Sequence, residues 1–160
     1  MDPWALTADA LREPWRLWTG HLAHYGWEHA LANGIALAVP LVLLPGRDRR
    51  QAGLALLLLA PLLSLALLPR LGAGEYRGAS GLACALWALA GLRLTGRRAS
   101  APTGLLLLGG LGLKLAAEAI LGSSLLVRAE GWQALPAAHL AGALLGLAWA
   151  VPRTLRRQPA

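Results

Sequence analysis

The sequence predicts an all-α protein that crosses a membrane several times as one polytopic bundle of transmembrane helices. Three observations predict this class: 56% of the 160 residues are hydrophobic, the apolar residues form long runs, and arginines separate these runs. A spanning helix needs about 20 mainly apolar residues, and about 17 are tolerated. No stretch between the runs could hold a second domain, so we expect a single domain over residues 1–160.

Five apolar runs qualify or nearly qualify as spans. The first follows a segment that contains histidines, and the next three are separated by arginine-containing loops. The fifth is short, and we expect it to take a turn from a neighbouring segment. The predicted helices cover residues 29–45, 51–69, 78–95, 103–127 and 137–152.

The arginines predict the orientation of the bundle. Nine lie on one side, at or just after the ends of the first, third and fifth runs: Arg47, Arg49, Arg50, Arg93, Arg97, Arg98, Arg153, Arg156 and Arg157. Five lie on the other side: Arg12, Arg16, Arg70, Arg77 and Arg128. Because cytoplasmic loops carry the excess of basic residues, we expect the N-terminus outside and the C-terminus in the cytoplasm.

Composition also weighs against several function classes. The net charge of +7 could indicate nucleic-acid binding, but no basic face alternates with aromatic residues. The single cysteine, Cys84, allows neither a disulfide framework nor a cysteine-based metal site. Of four histidines only His24 and His29 are clustered, and no carboxylate-rich site completes a metal shell. We therefore expect no nucleic-acid partner, no metal and no cofactor.

One serine and one histidine stand within the apolar runs, each flanked by glycine. Ser80 lies in Gly78-Ala79-Ser80-Gly81, and His139 lies in Ala138-His139-Leu140-Ala141-Gly142. Polar residues are costly in hydrocarbon and therefore suggest function. A serine hydroxyl is a weak nucleophile until a base lies within hydrogen-bond reach. With no Asp or Glu as an obvious third member, the pair predicts a catalytic dyad.

Two further polar residues belong to the same outer end of the bundle. His29 and Asn33 are four residues apart and so share one face of a helix. Both could donate hydrogen bonds to a developing oxyanion, and loss of one such donor typically costs about 3 kcal/mol. They could instead bond between helices.

Glycines provide the expected packing of the serine and histidine helices. Gly142 and Gly146 are four residues apart, a spacing that lets two helices pack closely. If the partner is the helix of Ser80, this packing brings Ser80 and His139 together. A generic packing face would show the same spacing.

Together these residues resemble the rhomboid family of intramembrane serine proteases. The resemblance extends from about Trp15 to Val151. It implies Ser80 as nucleophile, His139 as base, and His29 and Asn33 lining the oxyanion site, with membrane proteins as substrates. It rests on the segment Pro14-Trp15-Arg16-Leu17-Trp18-Thr19, on His24-x4-His29-x3-Asn33, on Gly78-x-Ser80-Gly81 and on Ala138-His139-x2-Gly142-x3-Gly146.

A subgroup is also suggested. Trp18-Thr19-Gly20-His21-Leu22 and the pair Lys114 and Glu118 look like rhombosortases, bacterial rhomboids thought to cleave proteins that end in a Gly-Gly motif, an apolar helix and a basic tail. This resemblance implies the bacterial inner membrane. We expect Lys114 and Glu118, one turn apart, to neutralise each other and fix helix packing; substrate contact is the alternative.

The chain departs from the family in places. The resemblance implies six helices and five are visible, so either the core is truncated or the true start lies upstream. Cys84 stands where an aromatic residue often stacks on the base; we expect it to be inert. In the loop over residues 122–136, Trp132 is expected to anchor at the membrane interface.

Two other functions compete with the protease. A rhomboid-like protein without catalytic activity could bind membrane helices, although the presence of both Ser80 and His139 argues against it. A small transporter would be expected to show inverted repeats or broken helices, and the sequence has no visible repeat.

Overall fold

The computed structural model describes residues 2–124 and 135–155, without the side chains of residues 152–155. Every regular element in these ranges is helical, and the only β pairing there is a single bridge between Leu6 and Tyr76. The predicted all-α bundle is therefore confirmed. The α-helices are α1 (Arg16–Thr19), α2 (Trp27–Leu43), α3 (Gly46–Leu71), α4 (Ser80–Thr95), α5 (Ala101–Leu121) and α6 (Pro136–Leu155), with 3₁₀ turns at Ala8–Leu11 and Arg98–Ser100.

The outer surface of the bundle is apolar over long distances. Among the described residues, Gly46–Leu71 and Arg98–Leu121 are long and apolar enough to cross a membrane, and α2, α4 and α6 are shorter apolar helices. Leu106 is 76% exposed and Ile120 is 84% exposed, both on α5. Extended apolar surface of this kind is typical of a protein that contacts lipid.

Helix α4 lies in the centre of the bundle. Twelve of its sixteen residues are buried, and it packs against α2, α3, α5 and α6. Its sequence is rich in alanine and glycine, and such small side chains let neighbouring helices approach closely. As a result, the N-terminal residue of α4, Ser80, sits where several helices meet.

Two predicted helix boundaries were wrong, for local reasons. The fourth predicted helix was extended to residue 127, but α5 ends at Leu121 because Gly122 adopts a left-handed conformation, with φ of +62°. The second was predicted from residue 51, but α3 begins at Gly46, after an extended Pro45. Its first turns carry charged residues, which a search for apolar runs does not detect.

The segment before α2 is hydrogen-bonded to the end of the bundle at which α4 begins. The bridge joins Leu6 N to Tyr76 O at 3.0 Å, and Gly78 N donates to Gly20 O at 2.9 Å. Arg16 Nη1 donates to Ala5 O at 2.8 Å. The bonds to Tyr76 and Gly78 fix the loop between α3 and α4. This loop leads directly into Ser80 and so sets its position.

His21 fixes the same segment to α3. Its Nε2 lies 3.0 Å from both Ala60 O and Ser64 Oγ, and the Ser64 hydroxyl donates to Leu17 O at 2.8 Å. The carbonyl of Ala60 can only accept, and the Ser64 hydroxyl already donates its proton to Leu17 O. His21 Nε2 is therefore protonated and donates to both groups of α3. Burial lowers the pKa of His21, which therefore remains a neutral structural histidine.

Candidate active site

Ser80 and His139 meet at the contact between α4 and α6. Ser80 is the first residue of α4, and His139 lies in the first turn of α6. The distance from Ser80 Oγ to His139 Nε2 is 2.9 Å, which is a hydrogen bond. Ser80 is partly buried and His139 is buried. The serine can therefore pass its proton directly to the imidazole.

The close approach depends on glycines at the helix contact. A Cβ built on Gly142 would overlap the carbonyl of Gly81, and one on Gly146 would overlap the carbonyl of Ala85. From the other side, a Cβ on Gly81 would lie 2.9 Å from Ala138 O. The two backbones are in direct contact, and no larger residue fits without separation of the helices.

The second nitrogen of His139 contacts a carboxylate. Glu118 Oε2 lies 2.7 Å from His139 Nδ1, and Glu118 is 1% exposed. Lys114 Nζ donates to Glu118 Oε1 at 2.7 Å and lies 3.0 Å from His139 Nδ1. Ser124 Oγ also donates to Oε1, at 3.3 Å. The sequence shows no obvious acidic third member, and the structure places Glu118 beside His139.

The contact between Glu118 and His139 is not visible in the sequence, for a physical reason. Glu118 and His139 are 21 positions apart on different helices, and helical spacing does not give the rotation of α5 relative to α6. Lys114 forms the expected contact with Glu118, but it occupies only one carboxylate oxygen.

His29 and Asn33 lie beside the loop that leads to Ser80. Both are buried, and Asn33 Nδ2 donates to His29 O at 2.8 Å. Gly78 has a φ of +115°, and a Cβ there would lie 2.8 Å from His29 Nε2. Glycine is needed at position 78 both for this φ and for the space that the His29 ring occupies.

An aromatic and charged layer covers His29. Tyr25 stacks on the His29 ring at 5.8 Å between centroids, and His24 meets the same ring edge-on at 5.0 Å. Arg77 lies 5.1 Å from the centre of the Tyr25 ring and forms ion pairs with Asp2 and Glu75. The sequence motifs include His24 but neither Tyr25 nor Arg77.

The predicted site residues line one cavity of about 630 Å³. This volume is within the range of about 300–1,000 Å³ usual for ligand sites. Most of the wall is apolar, and Trp87 in it donates to Ala36 O at 2.8 Å, which joins α4 to α2. The cavity lining comes from α2, α4, α5 and α6 and from the loop between α3 and α4. It includes His29, Asn33, Tyr76, Ser80, Cys84, Gly110, Leu113, Lys114 and His139.

Cys84 is one turn beyond Ser80 and is buried with Leu111 and Ala143. It lines the cavity as a small apolar side chain and offers no ring to stack on His139. Trp132 and the rest of residues 125–134 lie outside the described residues. Within the described ranges, no three His, Cys, Asp or Glu side chains are grouped so as to hold a metal ion.

The fold and the site define a class: a helical membrane bundle in which a serine hydroxyl is hydrogen-bonded to a histidine beside a cavity. The family model of the Rhomboid domain matches residues 11–156. The chain therefore belongs to the rhomboid family, whose members are intramembrane serine proteases, and it is a membrane protein. Comparisons with curated proteins and with solved structures gave no match.

Proposed function

We propose that the protein is an intramembrane serine endopeptidase that uses Ser80 and His139. The observation that supports it most is the hydrogen bond of 2.9 Å between Ser80 Oγ and His139 Nε2, at the wall of a cavity. A serine with a base at this distance is the arrangement required for a nucleophile. Membership of the rhomboid family supports proteolysis as the reaction class.

The reaction follows from these positions. Ser80 Oγ attacks the carbonyl carbon of a peptide bond while His139 Nε2 takes the hydroxyl proton. The resulting oxyanion receives hydrogen bonds from His29 and Asn33 and from backbone N–H groups in the first turn of α4, which have no intrahelical partner. His139 returns the proton to the leaving amine, and water then hydrolyses the acyl-enzyme.

The substrate is a membrane-anchored protein that enters from the lipid. The cavity wall includes Gly110 and Leu113 of α5, and Leu113 is 73% exposed at the outer surface of the bundle. A helix in the bilayer reaches the cavity along this side without passing through water. The peptide bond must be unwound before attack, since a helical backbone is already hydrogen-bonded.

The subgroup resemblance supports a narrower substrate: a protein whose C-terminus has Gly-Gly, an apolar helix and a basic tail. Glycine lacks a side chain and lowers helix stability by about 1 kcal/mol per residue, so a Gly-Gly pair is easily unwound. The excess of arginines at the ends of the first, third and fifth apolar runs supports a cytoplasmic position for that side of the bundle, opposite Ser80. Cleavage then occurs near the outer face of a bacterial inner membrane.

A fluorophosphonate probe, which reacts with activated serines, tests the proposal on the protein purified in detergent. The wild type should label, and Ser80→Ala and His139→Ala should not. Ser100→Ala is the matched control, because Ser100 bonds Leu94 O at the other end of α4. A folded wild type that neither labels nor cleaves would contradict the proposal and favour the rhomboid-like binding protein, and labelling of Ser80→Ala would overturn the assignment of the nucleophile.

The substrate is tested with a reporter that carries the Gly-Gly tail and with a matched reporter in which Leu-Leu replaces Gly-Gly. Mass spectrometry of the released reporter locates the cut. Cleavage beside Gly-Gly that is lost with Leu-Leu supports the narrower substrate. Equal cleavage of both reporters would retain the endopeptidase and remove the Gly-Gly specificity.

A further inference from the structure

We infer that Glu118 is a positioning residue that sets the proton arrangement of His139, so that Ser80, His139 and Glu118 act as a linked triad. This inference rests on the proposed function of Ser80 and His139. It adds a third member to the dyad that the sequence predicts, and it assigns to Lys114 a defined effect on the same histidine.

Glu118 is a buried carboxylate with a hydrogen-bond donor at each of its two oxygens. The Glu118 side chain is 1% exposed and that of His139 is 6% exposed. Glu118 Oε2 is 2.7 Å from His139 Nδ1, while Oε1 receives Lys114 Nζ at 2.7 Å. A buried carboxylate costs several kcal/mol unless it is paired and hydrogen-bonded, so each of its oxygens is matched to a donor.

The two neighbours of Nδ1 require opposite tautomers. A carboxylate oxygen can only accept, so Glu118 needs the proton on Nδ1, which leaves a lone pair on Nε2 for the Ser80 proton. Lys114 Nζ, 3.0 Å from the same nitrogen, can only donate and would need the proton on Nε2. In that second tautomer His139 cannot act as a base toward Ser80.

Glu118 favours the tautomer of His139 that is protonated on Nδ1, for two reasons. It forms the shorter contact with Nδ1, and a charged acceptor makes the stronger hydrogen bond. Its other oxygen binds the Lys114 ammonium, which satisfies the lysine without the histidine. The carboxylate therefore holds His139 as a base and keeps the neighbouring cation from selecting the inactive tautomer.

Glu118→Gln tests this arrangement. The amide oxygen should remain on Lys114, which turns the amide NH₂ toward Nδ1 and stabilises the inactive tautomer. The maximal rate of fluorophosphonate labelling should fall by about 10⁴-fold, in line with the loss seen when a triad acid becomes an amide. The probe concentration for half-maximal rate should stay unchanged, because Glu118 does not contact the probe. Glu28→Gln, an exposed glutamate on α2, is the matched control.

The double variant Lys114→Met/Glu118→Gln separates positioning from packing. Without Lys114 the amide can turn its oxygen toward Nδ1, so labelling should recover about tenfold or more over Glu118→Gln yet remain below wild type, since a neutral acceptor is weaker. The double variant leaves no unpaired charge in the core, so it provides the test if Glu118→Gln alone does not fold. Wild-type labelling by either folded variant would overturn the inference.

Nitrogen NMR of the imidazole gives a readout that does not need activity. The His139 signal, assigned by its loss in His139→Ala, should show a protonated Nδ1 in the wild type and a protonated Nε2 in Glu118→Gln. The same tautomer in both proteins would overturn the inference even where Ser80 labels normally. Absence of Ser80 labelling with the expected tautomers would instead remove the proposed function alone.

Discussion

Both tyrosines of the chain, Tyr25 and Tyr76, line the cavity that contains Ser80, the proposed nucleophile. Tyr76 is 3% exposed, and burial raises its pKa to about 12. Burial also raises the pKa of Tyr25, against the opposing effect of the Arg77 charge. Both phenols are therefore neutral at physiological pH, so neither supplies a negative charge near Ser80.

A variant with a single tyrosine makes this measurable. In Tyr25→Phe only Tyr76 ionises, and its phenolate absorbance should rise with a midpoint near pH 12 in the folded protein and near about pH 10 when unfolded. The neutral phenol stabilises the fold below about pH 10, and this contribution is lost as pH rises to about 12. The difference between the folded and unfolded midpoints corresponds to roughly 3 kcal/mol of folding free energy. A folded-state midpoint near pH 10 would contradict the burial of Tyr76.

At the scale of elements, the contact between α4 and α6 sets the distance between Ser80 and His139. The glycines at 142 and 146 lie against backbone carbonyls of α4, which cannot rotate away as a side chain can. A change at position 146, two turns from His139, should therefore move the site residues apart. The distance between the α4 and α6 backbones therefore controls the distance between Ser80 and His139, and with it the reaction.

Gly146→Ala tests this link. The added Cβ would overlap the carbonyl of Ala85, so α6 must shift, with a cost of about 1–3 kcal/mol for an overfilled contact. The thermal midpoint and Ser80 labelling should both decrease. Gly109→Ala on α5, where a Cβ meets nothing within 4 Å, should leave labelling unchanged. Normal labelling by Gly146→Ala would mean that the contact does not control the site.

The sequence predicts the parts of the site that local patterns encode. Hydrophobic run length gives the helices, and the glycines around Ser80 and His139 give the surfaces that pack together. Helix ends were less accurate because the left-handed Gly122 and the charged first turns of α3 are set by backbone conformation, not hydropathy. The contact of Glu118 with His139 could not be predicted, since it depends on the rotation and depth of two helices.

At the scale of the whole molecule, charge is placed differently at the two ends. At the end opposite Ser80, Asp48 is 1% exposed and pairs with Arg97 at 2.5 Å, while Arg93 donates to Asp48 O at 3.2 Å. These bonds tie the start of α3 to the end of α4. Arg93 and Arg97 therefore join helices in addition to contributing to the charge count that predicts orientation.

The orientation can be tested because the chain has only one cysteine. In a Cys84→Ala background, Asp9→Cys and Ala99→Cys introduce thiols at exposed positions of the two opposite ends. Membrane-impermeant maleimide on bacterial spheroplasts should label Asp9→Cys, and it should label Ala99→Cys only after permeabilisation, because the end richer in arginine stays in the cytoplasm. The original Cys84, 4% exposed, should remain unlabelled under both conditions. The reverse pattern would place Ser80 at the cytoplasmic face, so that cleavage would release products into the cytoplasm.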